Sequence, residues 1–293
     1  MWYFSRTKKA GMKILIVGGR SSLGRALKPV LLRIGDVITV GRKDCDINFD
    51  LNDSIEKIKL PDNIDVVINT AAHFGGKTAE EVLEAENVNV LGTLKLCQAA
   101  VLAKAKQYIL ISSMSSCVNK NSEYYGIYSL SKKHSEEIAQ YYCSTHSLPL
   151  TILRPSQIYG NEDYFRKHQP FLYTIIDRAE KGENITIYGS RDALRNYIYI
   201  DDLTNIILKV VQKKIKGTYS CTYPTNLTYS QIAKAAISAF GSKGRILFLK
   251  DKPDIPDNIF KNDNSLYKKI DFYPQITIKE GMLKIALFRR NRL

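Results

Sequence analysis

Three side chains have the types and spacing of an acid–base apparatus: Ser113, Tyr128 and Lys132. Tyr128 and Lys132 stand in "YSLSK", four residues apart, which puts both on one face of a helix. A phenol ionises near pH 10 in water, so bringing it into use at neutral pH takes about 4 kcal/mol. An ammonium on the same helical face supplies much of that shift. Ser113 lies in "ISSMSS", at the end of an aliphatic run, where open α/β sheets place their ligands. Its hydroxyl is suited to orient an alcohol or a carbonyl. With 18 tyrosines in a lysine-rich chain, Y-x-x-x-K alone is weak. The serine upstream and a glycine turn ahead of both make chance a poor account.

That turn is "ILIVGGRSSLGRAL", residues 14–27. Gly18, Ser21 and Gly24 form a frame of small residues between an aliphatic strand and a helix starting near Ser22 and Leu23. A helix N-terminus offers unpaired backbone N–H groups and a partial positive charge to a pyrophosphate. Small residues allow its close approach, and the Ser21 hydroxyl is expected to add a donor. At the end of the second strand, "VGRKD" puts Arg42 and Lys43 where an acidic residue would meet a ribose 2′-OH. Basic residues suit a 2′-phosphate instead, so the expected cofactor is NADP or NAD, with NADP favoured.

The elements that must position these residues follow from periodicity. Strands are expected at 13–17, 36–40, 65–69, 107–112, 150–154 and 196–200. Helices are expected at 22–34, 79–104, 128–146, 171–182 and 228–240. The alternation predicts an α/β fold, a Rossmann-type doubly wound parallel sheet, with a smaller α/β substrate-binding lobe from the C-terminal half. The expected cofactor domain is 12–160 plus about 185–212. The lobe is about 161–184 and 213–293, and residues 1–11 form a loose head.

The net charge of +14 admits nucleic acid or an anionic surface as a partner, but the basic residues are scattered rather than massed. Nucleic acid is therefore not the expected partner. No apolar run is long enough to span a bilayer, and the head is too short for the core of a secretion signal. Five cysteines without a C-x-x-C pair argue against a disulfide framework or a metal site. A cytoplasmic location is expected.

The sequence resembles the extended short-chain dehydrogenase/reductase family of nucleotide-sugar epimerases, dehydratases and reductases, from about residue 13 to the end. "GGRSSLG" is similar to the family's glycine motif, with Ser21 for the usual middle glycine. The resemblance implies that Asp50 of "FDLND" contacts adenine with Leu51 beside it, and that Ala71 and Ala72 of "DVVINTAAH" line the cofactor. Asn69 stands where many members have histidine. Asn89 of "NVNVLGT" matches a family position on the cofactor side, and Pro155 of "ILRPSQIYG" would sit near the nicotinamide. Ser113, Tyr128 and Lys132 match the catalytic serine, tyrosine and lysine. Ser113, Met114, Gln157 and Arg195 are implied on the substrate side, Arg195 at the diphosphate, with Lys252 of "DKPDIPD" as a stand-in for a second basic residue. Met114-Ser115 replaces the acidic pair of 4,6-dehydratases, which argues against elimination chemistry.

The resemblance implies hydride transfer at a carbon of a nucleotide-diphosphate sugar, by an epimerase or a keto-sugar reductase, in polysaccharide biosynthesis. It also implies a homodimer paired through a four-helix bundle from 79–104 and 128–146. The alternative is a catalytically silent cofactor-binding regulator or scaffold of the same fold. The retained Ser113, Tyr128 and Lys132 argue against it.

Overall fold

The computed structural model describes residues 11–161 and 163–292, so the expected head lies outside them apart from Gly11. Contacts divide the chain into two compact units. The first comprises the described residues up to Ser112, Ile127–Ile152 and Lys214–Thr218. The second comprises Ser113–Gly126, Leu153–Lys213 and the described residues from Tyr219 onward. Residues 113–126, 153–160 and 185–212, grouped by sequence with the cofactor domain, make their contacts in the second unit.

The first unit is built on β1 (Met12–Val17), α1 (Ser22–Leu31), β2 (Gly35–Gly41), β3 (Ile47–Asn48), β4 (Val66–Asn69), α2 (Ala79–Glu86), α3 (Gly92–Leu102), β5 (Tyr108–Ile111) and α4 (Ile127–Thr145). β6 (Leu150–Pro155) follows. β1 pairs in parallel with β2 (Ile14 opposite Val37) and with β4 (Ile14 opposite Val66), and β4 pairs in parallel with β5. Ile14, Leu15 and Ile16 are completely buried. That is why this run is unbroken rather than alternating: a central parallel strand is covered on both faces. Each such side chain contributes roughly 1.5–3 kcal/mol of burial. In α1, Leu23, Leu27 and Leu31 recur at helical spacing and are buried. The helix ends at Leu31 rather than 34, two residues beyond Pro29, which cannot donate to the helical ladder.

The expected helix 79–104 is interrupted by a five-residue π-turn, Asn87–Leu91. α2 begins with a capping box, Thr78 with Glu81.

The second unit contains β7 (Gln157–Tyr159), α5 (Pro170–Lys181), β8 (Ile185–Tyr188), β9 (Leu194–Arg195), β10 (Tyr197–Tyr199) and α6 (Ile200–Gln212). After β11 (Gly217–Cys221) come β12 (Leu227–Thr228), α7 (Tyr229–Phe240), β13 (Ile246–Leu249), α8 (Ser265–Ile270) and α9 (Ile278–Arg290). β7 with β10 and β8 with β13 are parallel two-stranded pairs, and β9 with β12 is antiparallel. α5, α7 and α9 pack together.

The main sheet has seven strands in the order β11-β6-β5-β4-β1-β2-β3 and is flanked by helices, the Rossmann-like arrangement that the alternation predicts. Among the described residues no helix is long and apolar enough to cross a membrane. No group of three or more potential ligands among them converges on a metal position.

Candidate active site

The turn after β1 is shaped by backbone demands. Gly18 has φ +78°, and a Cβ there would come within 2.8 Å of the Ala71 amide nitrogen. A Cβ at Gly24 would fall on the Gly18 carbonyl oxygen, so α1 packs against the turn only with glycine there. Ser21 is the N-cap of α1. Its Oγ accepts the Gly24 N–H at 3.0 Å and bonds the Thr70 hydroxyl at 2.9 Å. Thr70 Oγ1 also lies 2.8 Å from the Val17 carbonyl oxygen, to which it donates. The Ser21 hydroxyl thus ties the end of β1 to the end of β4. Ser22 opens the first turn and Leu23 is buried beneath it. That turn carries no acidic residue to compete with an anion.

At the end of β2, Arg42 is exposed and Arg20 pairs with Asp44. Asp50 accepts the Asn52 N–H at 2.9 Å, and buried Leu51 offers its carbonyl to Lys95 at 2.8 Å. After β4, Asn69 is buried. Its Nδ2 donates to Tyr108 Oη at 3.1 Å, and its Oδ1 accepts the Ala71 N–H at 3.1 Å. Ala72 is exposed. Asn89, within the π-turn, accepts the His73 N–H (2.8 Å) and donates to the His73 carbonyl (2.8 Å) and to Ser131 Oγ (2.9 Å). The wider turn gives this one side chain reach to a loop and to α4 together.

Tyr128 and Lys132 share one face of α4, with the ammonium 5.9 Å from the centre of the phenol ring. Lys132 is 3% exposed and donates to the Ile111 carbonyl at 2.9 Å, its only hydrogen-bond partner among the described residues. Burial pulls its pKa down to about 8, against the attraction of Glu136, which favours the charged form. Glu136 is itself buried and accepts a short hydrogen bond from Ser112. Tyr128, Lys132 and Glu136 thus follow one another at four-residue spacing.

The other expected site residues belong to the second unit. Ser113 Oγ caps the short 3-10 turn Met114–Cys117, accepting the Ser115 N–H at 3.1 Å, and Met114 is buried. Pro155 is the buried last residue of β6. Gln157 donates its side-chain amide to Gln169 Oε1 at 2.9 Å, while its own buried Oε1 has no hydrogen-bond partner among the described residues. Arg195 is 3% exposed. Its guanidinium donates to Tyr229 Oη (2.6 Å), Tyr124 Oη (2.7 Å) and the carbonyls of Leu194 (2.8 Å) and Pro256 (2.7 Å). Lys252 lies half-exposed in the turn after β13, 3.8 Å from Asp251.

Residues 14–221 match the sequence model of a family described as the NAD dependent epimerase/dehydratase family. The chain belongs to this family. Its relatives include CDP-abequose synthase of Salmonella typhimurium (25% identical, covering 55% of this chain and 52% of that one). The dTDP-D-glucose 4,6-dehydratase of Dictyostelium discoideum is 26% identical, covering 77% and 62%. The chain thus spans about half to three-fifths of these two relatives. Among solved structures, UDP-glucose 4-epimerase of Thermotoga maritima, determined with UDP-glucose, aligns with TM-score 0.78 at 18% identity over 96% of this chain and 99% of that one. The Bordetella bronchiseptica enzyme WbmF, determined with NAD+ and UDP, aligns with TM-score 0.78 at 19% identity over 97% and 93%. These structural likenesses establish the shared fold.

Membership in an NAD dependent family requires a place for a dinucleotide, and the first unit fits one. The glycines at 18 and 24 keep side chains off the end of β1, and α1 brings a helix N-terminus with no acidic residue in its first turn. Lys132 is buried and carries two N–H groups beyond the one given to Ile111.

Sequence reasoning missed Thr70, Phe74 and Glu136. Glu136 had a legible signal, since it follows Lys132 at the same four-residue interval. Phe74, whose ring stacks on Tyr128 at 4.5 Å and 12°, had none.

Proposed function

We propose that the protein is an NAD(P)-dependent enzyme that transfers hydride at a carbon of a nucleotide-diphosphate sugar, as an epimerase or a keto-sugar reductase. The observation that carries this reading is the buried Lys132 ammonium beside the Tyr128 phenol on one face of α4. A bound nicotinamide supplies or accepts the hydride. Tyr128 takes the proton from a sugar hydroxyl in oxidation and returns one to a carbonyl oxygen in reduction. Lys132 stabilises the phenolate and holds ligand hydroxyls, and Ser113 orients the sugar oxygen. Gly18, Ser21, Ser22, Leu23 and Gly24, at the start of α1, would hold the cofactor's pyrophosphate. Asp50, Leu51, Ala71, Ala72, Asn89 and Pro155 complete its surroundings, and Arg42 favours NADP through a 2′-phosphate. Met114, Gln157, Arg195 and Lys252 serve the nucleotide-sugar side. Buried, apolar Met114 offers no carboxylate for elimination, which counts against dehydration.

Two copies are proposed to pair through α2–α3 and α4. Leu83 (62% exposed) on α2, Leu102 (69%) on α3 and Tyr141 (69%) on α4 leave apolar surface uncovered on these helices. A cytoplasmic place in polysaccharide assembly accords with such a substrate.

The test is incubation with NAD, NADP and their reduced forms against a panel of UDP-, GDP-, CDP- and dTDP-hexoses and 4-keto-6-deoxyhexoses. A reductase consumes reduced cofactor at 340 nm and adds two hydrogens to the sugar. An epimerase yields an isomer of unchanged mass without net cofactor use. Cofactor binding without turnover across the panel supports the silent scaffold instead.

A further inference from the structure

Phe74 sits in the segment after β4, with its ring nearly parallel to that of Tyr128, centroids 4.5 Å apart at 12°. It is 44% exposed, so filling the core does not explain it. Its neighbours are pinned instead. The Asn89 amide clasps His73 through two 2.8 Å hydrogen bonds, His73 N–H to Oδ1 and Nδ2 to the His73 carbonyl. Asn89 Nδ2 also reaches Ser131, three residues beyond Tyr128 on α4. On the other side of Phe74, the Gly75 N–H donates to His73 Nδ1 at 3.0 Å. Gly75 has φ +69°, and a Cβ there would fall on Ile127, the residue before Tyr128. A segment tied to α4 through Asn89 on one flank, and passing close to Ile127 on the other, therefore holds a half-exposed flat ring against a phenol.

We propose that Phe74 is a positioning residue for the reaction, a planar wall that fixes the orientation of the Tyr128 ring. The inference rests on the reading of Tyr128 as the proton-transfer group. A phenol turns about two side-chain bonds, and its oxygen has to meet a reacting oxygen within tenths of an ångström. A face-on aromatic partner narrows that freedom. A branched aliphatic residue would cover similar area without offering a plane to lie against.

The experiment combines crystal structures of the full chain carrying Phe74→Ala, Phe74→Leu or Phe74→Tyr with kinetics on UDP-glucose and dTDP-4-keto-6-deoxyglucose. The expected result is a Tyr128 ring turned or spread over several orientations in the Ala and Leu variants and unmoved in the Tyr variant. Where a probe sugar turns over, kcat in the Ala variant falls roughly ten- to a hundredfold. The Tyr variant recovers it. KM and cofactor affinity hold, and the primary deuterium isotope effect on kcat grows as hydride transfer becomes limiting. An unmoved Tyr128 ring in the Ala variant overturns the proposal. So does a loss of kcat that comes with lost cofactor binding and is not recovered by Phe74→Tyr. Tyr128→Phe separates the two levels: turnover surviving in that variant refutes the role of Tyr128 itself, whereas its loss there beside normal turnover in Phe74→Ala refutes only the role of Phe74.

Discussion

The two units each bury a cation at the same 3% exposure, and they treat it in opposite ways. Lys132, in the first unit, has one carbonyl partner and a carboxylate one turn further along α4, and burial brings its pKa down to about 8. Arg195, in the second unit, spends four of its five N–H groups on two tyrosine hydroxyls and two carbonyls, with its guanidinium 4.6 Å from the Tyr229 ring centre and 5.5 Å from that of Tyr124. The first is an ammonium left with donors to give and a proton that it can lose. The second is a permanent charge built into a scaffold. One is arranged for proton chemistry; the other is a fixed positive charge that organises the peptide around it and keeps one N–H group for the proposed diphosphate.

The largest expected effect separates these roles most cleanly. Lys132→Met should lower turnover by roughly 10²–10⁴ while leaving the melting temperature near or above that of the parent at pH 7. Its folded pKa lies below the ordinary lysine value, so holding the proton there costs folding stability at low pH. That cost fades as pH rises from about 8 towards 10.5. Melting curves of parent and variant across that window check the sign. A strong destabilisation at pH 7 would make Lys132 a structural cation like Arg195.

Arg195→Lys should do the reverse. A single ammonium cannot reach four acceptors spread over β9, α7 and two loops, so unfolding free energy should fall by about 2–3 kcal/mol in urea titrations. An unchanged midpoint would show that the network is dispensable. A subtler effect is expected from Glu136→Gln. Without the carboxylate that favours the ammonium, the alkaline limb of kcat/KM should move to lower pH, as a pH–rate profile would show. The smallest effect is expected at an exposed cation. Arg42→Ser should weaken NADP binding severalfold, about 1 kcal/mol, and leave NAD binding unchanged, by fluorescence titration.

The same contrast governs what could be read from sequence. In the first unit, function rides on local order. "ILIVGG" is an unbroken buried strand running into its turn, and "YSLSK" carries its geometry in a four-residue interval. The second unit hides its elements and its partners. α6 follows β10 without a break, so the strand expected at 196–200 hides the helix after it, although Asp201 and Asp202 are first-turn acids that mark a helix start. α9 carries a capping box, Thr277 with Glu280, yet its buried stripe, Ile278, Met282 and Ile285, is narrow and set among exposed Lys279, Leu283 and Lys284. The environment of Arg195 comes from Tyr124, Tyr229 and Pro256, at separations of 71, 34 and 61 residues that no pattern in the chain announces. Phe74 was illegible for the same reason, since its partner lies on another element.

In the proposed reaction the Tyr128 phenol, with Lys132 beside it, carries the proton during hydride transfer. Turnover of the preferred nucleotide sugar by Tyr128→Phe, measured alongside cofactor affinity, tests it most directly. The expected result is a loss of roughly 10²–10⁴ in kcat with cofactor binding unchanged. Turnover within a few-fold of the parent, with the cofactor still bound, would contradict it.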